Sequence, residues 1–228
     1  MVLGSRPRRA AIPTGMPHRQ FIKLRYSEML LANGLSQIGQ AGYAQYRVNS
    51  LYDPQYASNL STVSGHINNS QPMYRDQWAN FYYQYRVYAC KYYFTFTPTV
   101  PTTGLVTTPV TMVVYASDAP STDTDVMITR QRIGARSVDS GGTLSSVNKL
   151  SLKFYTTCNR ALGLTKRQYS DDKTTAGGMS SGSNPTTLVY VNILIQNMNE
   201  GTTLDGYFTV RMKFYCKLFD PIENIASS

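Results

Sequence analysis

Histidine is almost missing from this chain: 228 residues contain two, His18 and His66. Tryptophan occurs once, and cysteine three times (Cys90, Cys158, Cys216) with no CxxC pair. Acidic side chains number 13 against 22 Lys and Arg, a formal charge of +9. A metal centre needs clustered His, Cys or carboxylate ligands. Two distant histidines therefore argue against a cupin-like metalloenzyme, and no metal or cofactor is expected. Ser64, His66 and Asp53 can be grouped on paper as a nucleophile and base. A lone histidine in a polar loop is read as structural or solvent-facing, so no catalytic residue is assigned and the chain is not read as an enzyme. The odd thiol count, with no secretory leader and no long apolar segment, points to a reducing compartment and no structural disulfide. Asn59-Leu60-Ser61 and Asn68-Asn69-Ser70 match the glycosylation acceptor pattern and are read as turn sequence.

What is present is tyrosine, 18 copies, in a chain with 42% hydrophobic residues, enough to fold rather than stay disordered. Tyrosine buries a ring while keeping its hydroxyl wet, which suits half-exposed strands and subunit interfaces. Charge is concentrated at the start. Arg6, Arg8, Arg9, Arg19, Lys23 and Arg25 fall before Ser27 with no acid among them. Such a segment favours a polyanion by releasing condensed counterions. Charge alone leaves DNA, RNA and acidic membrane open as partners. Residues 1–18 mix these arginines with Pro7, Pro13, Pro17, Gly4 and Gly15, the composition of an arm without regular structure.

From Arg19 the pattern switches to period two. Ile22, Leu24 and Tyr26 share one face, and Phe21, Lys23 and Arg25 the other. Further strands are expected near 43–49, 86–97, 108–117, 129–138, 147–157, 186–196 and 206–219. Turn clusters separate them, at Asn33-Gly34, Pro98 to Gly104, Asp118 to Asp125, Ser140-Gly141-Gly142, Gly177 to Pro185 and Asn199 to Gly201. One helix is expected, capped by Asp76 and carrying Trp78, Phe81, Tyr82 and Tyr85 at three- and four-residue spacing. The pattern describes one all-β domain over 19–228, an eight-stranded antiparallel sandwich or jelly roll, behind the 1–18 arm.

Alternation assigns faces. Phe208, Val210, Met212, Phe214, Cys216 and Leu218 turn to one side of the last strand, while Arg211, Lys213 and Lys217 turn to the other with Tyr207, Thr209 and Tyr215. Leu150, Leu152 and Phe154 oppose Lys149, Ser151, Lys153 and Tyr155; Tyr92, Phe94 and Phe96 oppose Val87, Lys91 and Tyr93. Leu24, Phe94, Phe154, Val210 and Phe214 are the expected core, and Cys90 and Cys216 alternate with it. The outward sides hold eight cations: Lys23, Arg25, Lys91, Lys149, Lys153, Arg211, Lys213 and Lys217. By contrast, Val110 to Tyr115 and Leu188 to Gln196 carry no charge, so two sheets in different environments are expected.

Several motifs occur in a particular order. They are Ile22-Lys23-Leu24-Arg25-Tyr26-Ser27, then Tyr46-Arg47-Val48-Asn49-Ser50-Leu51-Tyr52-Asp53-Pro54, then Gly65-His66, Gln71-Pro72, Asp76-Gln77-Trp78 and Tyr85 to Lys91. This series resembles the capsid proteins of circular Rep-encoding single-stranded DNA viruses, the circovirus-like group. One departure is that Ile67 to Ser70 separate the Gly-His and Gln-Pro pairs, which often adjoin in that family. The resemblance implies a viral jelly roll with strands lettered B to I in BIDG and CHEF sheets. The basic strands fall at B, D, G and I, and the neutral ones at E and H. It also implies an icosahedral shell, simplest as T=1 with about sixty copies, since closed symmetry limits the number of distinct interfaces. A circular single-stranded DNA genome would be enclosed. Arg6, Arg8, Arg9 and Arg19 would reach phosphates together with the basic sheet face, and Tyr93, Tyr155 and Tyr215 would offer rings for base stacking. The implied locations are the virion and, during assembly, the host nucleus, with a host-cell receptor as a further partner. Alternative readings are the coat of a small single-stranded RNA or satellite virus, and a cellular β-sandwich binding module.

Overall fold

The computed structural model describes residues 17–35, 41–62, 71–99, 110–122, 149–197 and 204–222, with the backbone alone at 136–139. The strands are β1 (Arg19–Leu35), β2 (Gly42–Arg47), β3 (Gln55–Ser58), β4 (Ser61–Thr62), β5 (Tyr82–Pro98), β6 (Val110–Ser117), β7 (Arg136–Asp139), β8 (Leu150–Thr157), β9 (Gly177–Gly178), β10 (Tyr190–Asn197) and β11 (Leu204–Pro221). The short helices are α1 (Arg75–Ala79), α2 (Cys158–Ala161) and α3 (Lys166–Asp171).

Two antiparallel sheets form, ordered β4-β1-β11-β5-β8, with β9 also pairing β5, and β3-β2-β10-β6-β7. Without the short β3, β4 and β9, the order is B-I-D-G over C-H-E-F, the jelly roll expected from the sequence. The core lies between the sheets because each strand turns alternate side chains inward. Leu24, Phe94, Phe154, Val210 and Phe214 are all buried. Phe94 stacks between Tyr92 and Phe208, with ring centroids 5.6 and 6.0 Å away. The three cysteines are buried free thiols. Burial raises the Cys90 thiol well above its ordinary value and the Cys158 thiol to about 12, consistent with packing rather than reactivity.

Local readings of the sequence fail where a partner strand decides the outcome. Val87, expected outward, is fully buried. Along β5, Tyr215 pairs with Ala89 but Cys216 with Val87, so Tyr88 bulges out of register. A bulge reverses the inward phase, and Tyr85 and Val87 replace even-numbered residues in the core. Asn33-Gly34, expected as a turn, lies within β1, which extends to Leu35. Gly34 takes φ 65° at a register shift, and its amide donates to Asp205 Oδ1 at 2.6 Å. The expected helix stops at Ala79, so Tyr82 and Tyr85 belong to β5. Its cap position is Tyr74 at φ 68°, with no side-chain cap; Asp76 lies in the first turn. Of the strand expected over 129–138, residues 129–135 lie outside the described residues, as do Arg6, Arg8, Arg9, Ser64 and His66.

Two helices were not expected. Both α2 and α3 follow the end of β8, where β5 runs on without that neighbour. Thr165 and Gln168 form a reciprocal capping box at the start of α3. The buried Tyr169 then donates its hydroxyl to Val87 O at 2.7 Å. Arg86 donates to the carbonyls of Ser170 and Asp172 and lies over the Phe219 ring. This segment therefore covers the part of β5 that β8 leaves open.

Candidate nucleic-acid interface

The outer face of the β1-β11-β5-β8 sheet is built from rows of residues in register. One row reads Arg25, Lys213, Lys91, Tyr155, and the next Ser27, Arg211, Tyr93, Lys153. On the other side of the first row come Lys23, Tyr215, Ala89 and Thr157, then Phe21, Lys217 and Arg86. Three like charges thus lie directly opposite one another on adjacent strands in one row. That arrangement is unfavourable unless something neutralises it. Arg19, Lys23, Arg25, Lys149, Lys153 and Arg211 are exposed, and Lys91, Lys213 and Lys217 half-buried. Lys149 immediately precedes β8. Among the described residues the ion pairs are Arg47–Asp53, Arg75–Asp76 and Arg167–Asp171, and none includes a cation of this face.

Three of the cations rest on tyrosine rings instead. Lys23 and Lys213 lie 5.9 and 5.8 Å from the Tyr215 centroid, and Lys91 lies 5.3 Å from that of Tyr93. Such contacts orient an ammonium without cancelling its charge. The hydrogen bond from Lys91, together with the charges of Lys91, Lys153 and Lys213, holds the Tyr93 phenol below its ordinary value; the same bond raises Lys91. Of the three expected stacking rings, Tyr155 is the most open, at 56% exposure, and it meets Tyr215 edge-on at 6.4 Å. Tyr93 and Tyr215 are half-buried, with lysines over their rings. Beside the rows lies a depression of about 570 Å³, lined in part by Arg25, Ser27, Tyr93, Ser151, Lys153 and Arg211. The small hydroxyl residues at 27 and 151 leave the room that a longer side chain would fill. Sequence reasoning had no signal for this depression, which depends on strand register.

The outer face of the β2-β10-β6 sheet is of another kind. Val113, Tyr115 and Leu194 form a second buried cluster there, packed by Ala41 and Tyr43. Beside it Asn192 donates to Ser117 Oγ at 2.8 Å and accepts from Ser121 N at 3.0 Å, while Gln45 Nε2 donates to Ser121 O at 2.9 Å. Arg47, at the end of β2, is the charged residue of this part; it pairs with Asp53 and lies 4.9 Å from the Tyr56 centroid.

One acid was missed by the sequence reading. Glu28 belongs to the inward face of β1 and is only 4% exposed. Its Oε2 accepts from Tyr26 at 3.0 Å on the same strand and from Tyr46 at 2.8 Å on the opposite sheet. Oε1 has no hydrogen-bond partner among the described residues, and burial raises the carboxyl pKa. The outward alternation of Lys23 and Arg25 predicts that position 28 faces inward, but not that a tyrosine from another sheet receives it. No group of at least three metal-ligating side chains occurs among the described residues, and no helix there is long and apolar enough to cross a membrane.

No family model matches the chain, and no curated protein matches it. Solved structures that resemble it include Desmodium yellow mottle tymovirus, at 14% identity and a TM-score of 0.40, covering 98% of this chain and 100% of that one. A semi-empty virus-like particle of the Macrobrachium rosenbergii nodavirus gives 12% and 0.43, covering 90% and 95%. The 60-mer BFDV capsid protein gives 12% and 0.41, covering 93% and 100%. Similarity at this level transfers neither residue roles nor activity.

Proposed function

We propose that this chain is the structural subunit of a virus shell that assembles from copies of itself and encloses single-stranded nucleic acid. The observation that carries the reading is the basic sheet face, with cations in cross-strand register and no acid paired to them among the described residues. A solvated surface gains nothing from stacking like charges, whereas a polyanion would neutralise the rows. The B-I-D-G over C-H-E-F order provides that face as one continuous sheet. The motifs between Ile22 and Lys91 favour a circular single-stranded DNA genome and a T=1 icosahedral shell. In this reading residues 1–18 act as a basic arm beside a jelly-roll domain over 19–228, and the arm and the basic sheet face of that domain line the shell interior. Phosphate contacts dominate, so sequence readout is weak.

The test is electron microscopy of purified particles, followed by digestion of their contents with DNase and RNase. Closed shells holding DNase-sensitive material are expected. RNase-sensitive contents would establish the RNA-virus reading instead. Protein that stays monomeric across salt and concentration would overturn the shell altogether.

A further inference from the structure

We infer that the enclosed strand runs lengthwise along the seam between β1 and β11, one nucleotide per row, rather than crossing the sheet. This deepens the nucleic-acid reading and rests on it. Five consecutive rows of the seam each hold an outward cation: Arg211 opposite Ser27, Lys213 opposite Arg25, Lys23 opposite Tyr215, Lys217 opposite Phe21, and Arg19 opposite Phe219. The next row, Met29 and Thr209, has no charge and ends the ladder. On the β5–β8 side the ladder is broken. Lys153 and Lys91 serve two rows, Ala89 and Thr157 leave the third empty, and the Arg86 guanidinium is taken up by main-chain carbonyls.

Spacing decides between the two directions. Alternate residues along a strand are about 6.7 Å apart, whereas neighbouring strands are about 4.8 Å apart. Adjacent phosphates are separated by a whole sugar and repel one another, so they match the wider interval. Arg25, Lys213 and Lys91, lined up across the sheet, therefore share a single phosphate. Along the seam each row takes its own. With phosphates on the seam, bases lean toward β5, where the 570 Å³ depression opens beside the upper rows and Tyr93 forms part of its wall. The exposed Tyr155 ring lies next to it across the sheet.

The experiment measures binding of a thymidine homopolymer to the full chain as a function of salt. Lys23→Gln, Lys217→Gln and Arg19→Gln should each lower the log–log salt slope by about 0.7, the value of one single-strand phosphate. Arg25→Gln, Lys213→Gln and Lys91→Gln should each cost clearly less, and all three together about 0.7, because they serve one phosphate. Cooperative thermal unfolding with midpoints close to that of the unaltered chain verifies that these surface variants fold. If Lys91→Gln combined with Lys153→Gln lowers the slope as much as Lys23→Gln combined with Lys217→Gln, the path crosses the sheet and this inference falls, while the nucleic-acid reading stands. If no variant on the face changes the slope, the reading beneath it falls as well.

Discussion

The two sheets of this jelly roll share a core and differ in what they turn outward. The β1-β11-β5-β8 sheet shows cations and tyrosines, with like charges facing one another across strands. The β2-β10-β6 sheet shows a small apolar cluster and an amide network, and its charged residue, Arg47, is paired. Inward they are alike: Phe94, Val210 and Phe214 from one meet Met112, Val191 and Ile193 from the other in a single buried cluster. The fold therefore constrains the inner faces together and leaves the outer faces free to diverge. One has kept electrostatic tension and the other has removed it. A polyanion would relieve tension of that kind, and the proposed function rests on that.

The sharpest way to break the comparison is to exchange the character of the faces. Leu194→Lys places an ammonium in the Val113–Tyr115 cluster, where Leu194 is 2% exposed. It should cost about 3–5 kcal/mol, because the charge is desolvated in a cluster whose described residues include no acid. Thr209→Lys, on the half-exposed outer side of β11, should change stability by less than about 0.5 kcal/mol. Urea denaturation of both variants checks this, and equal losses would mean the two faces do not differ as described.

Next in size is Arg47→Gln. Its guanidinium meets the Asp53 carboxylate, donates to Asp53 O at 3.0 Å and lies over the Tyr56 ring. Removing it should destabilise the chain by about 1–3 kcal/mol, the range for a hydrogen bond to a charged group lost from a part-buried site. A loss of that size in urea denaturation that Asp53→Asn alone does not reproduce would assign the effect to the main-chain bonds and the ring contact instead of the ion pair.

Most of the difference between faces was legible in the sequence, because alternation is a local property and these strands keep it for long runs. From Phe208 to Leu218 every assigned side is the observed one. What was hidden depends on partners. The bulge at Tyr88 arises from a register shift against β11, so nothing within residues 85–91 announces that Val87 turns inward. The helices after Cys158 are too short for a periodic signal, and they exist because β8 ends before β5 does. The aromatic spacing from Trp78 to Tyr85 imitated a longer helix because half of it belongs to a strand. At the site, the cations could be assigned a side by alternation, but their rows, the depression and the seam follow from register, which single-strand reading does not supply. Glu28 shows the limit most clearly, since an acid on an inward face contradicts the pattern until Tyr46 arrives from the other sheet.

That carboxyl yields a pH dependence belonging to neither outer face. Burial raises the Glu28 pKa above the ordinary value of a glutamate carboxyl, so the folded state holds the proton more tightly than the unfolded state. The resulting stability is fully present below the unfolded value and is lost as pH rises through the folded one. Glu28→Gln should flatten this part of the stability–pH profile while leaving salt-dependent binding on the basic face unchanged. Denaturant titrations of both proteins from acid to neutral pH measure it. A variant that keeps the full wild-type slope would show that another group titrates.

The smallest expected effect is the one that bears most directly on the comparison. Lys213 lies between Arg25 and Lys91, with no acid paired to any of the three among the described residues. Lys213→Gln removes the middle charge and should stabilise the free protein by about 0.5 kcal/mol at low salt, within the range for like charges directly opposite on a sheet. Molar salt shortens the screening length to about 3 Å, so the gain should then vanish. Arg47→Gln, the same kind of change at the paired cation of the other sheet, has the opposite sign. If Lys213→Gln also destabilises at low salt, its contact with the Tyr215 ring outweighs the repulsion. The basic rows would then be stable on their own account, and their register would no longer call for a polyanion.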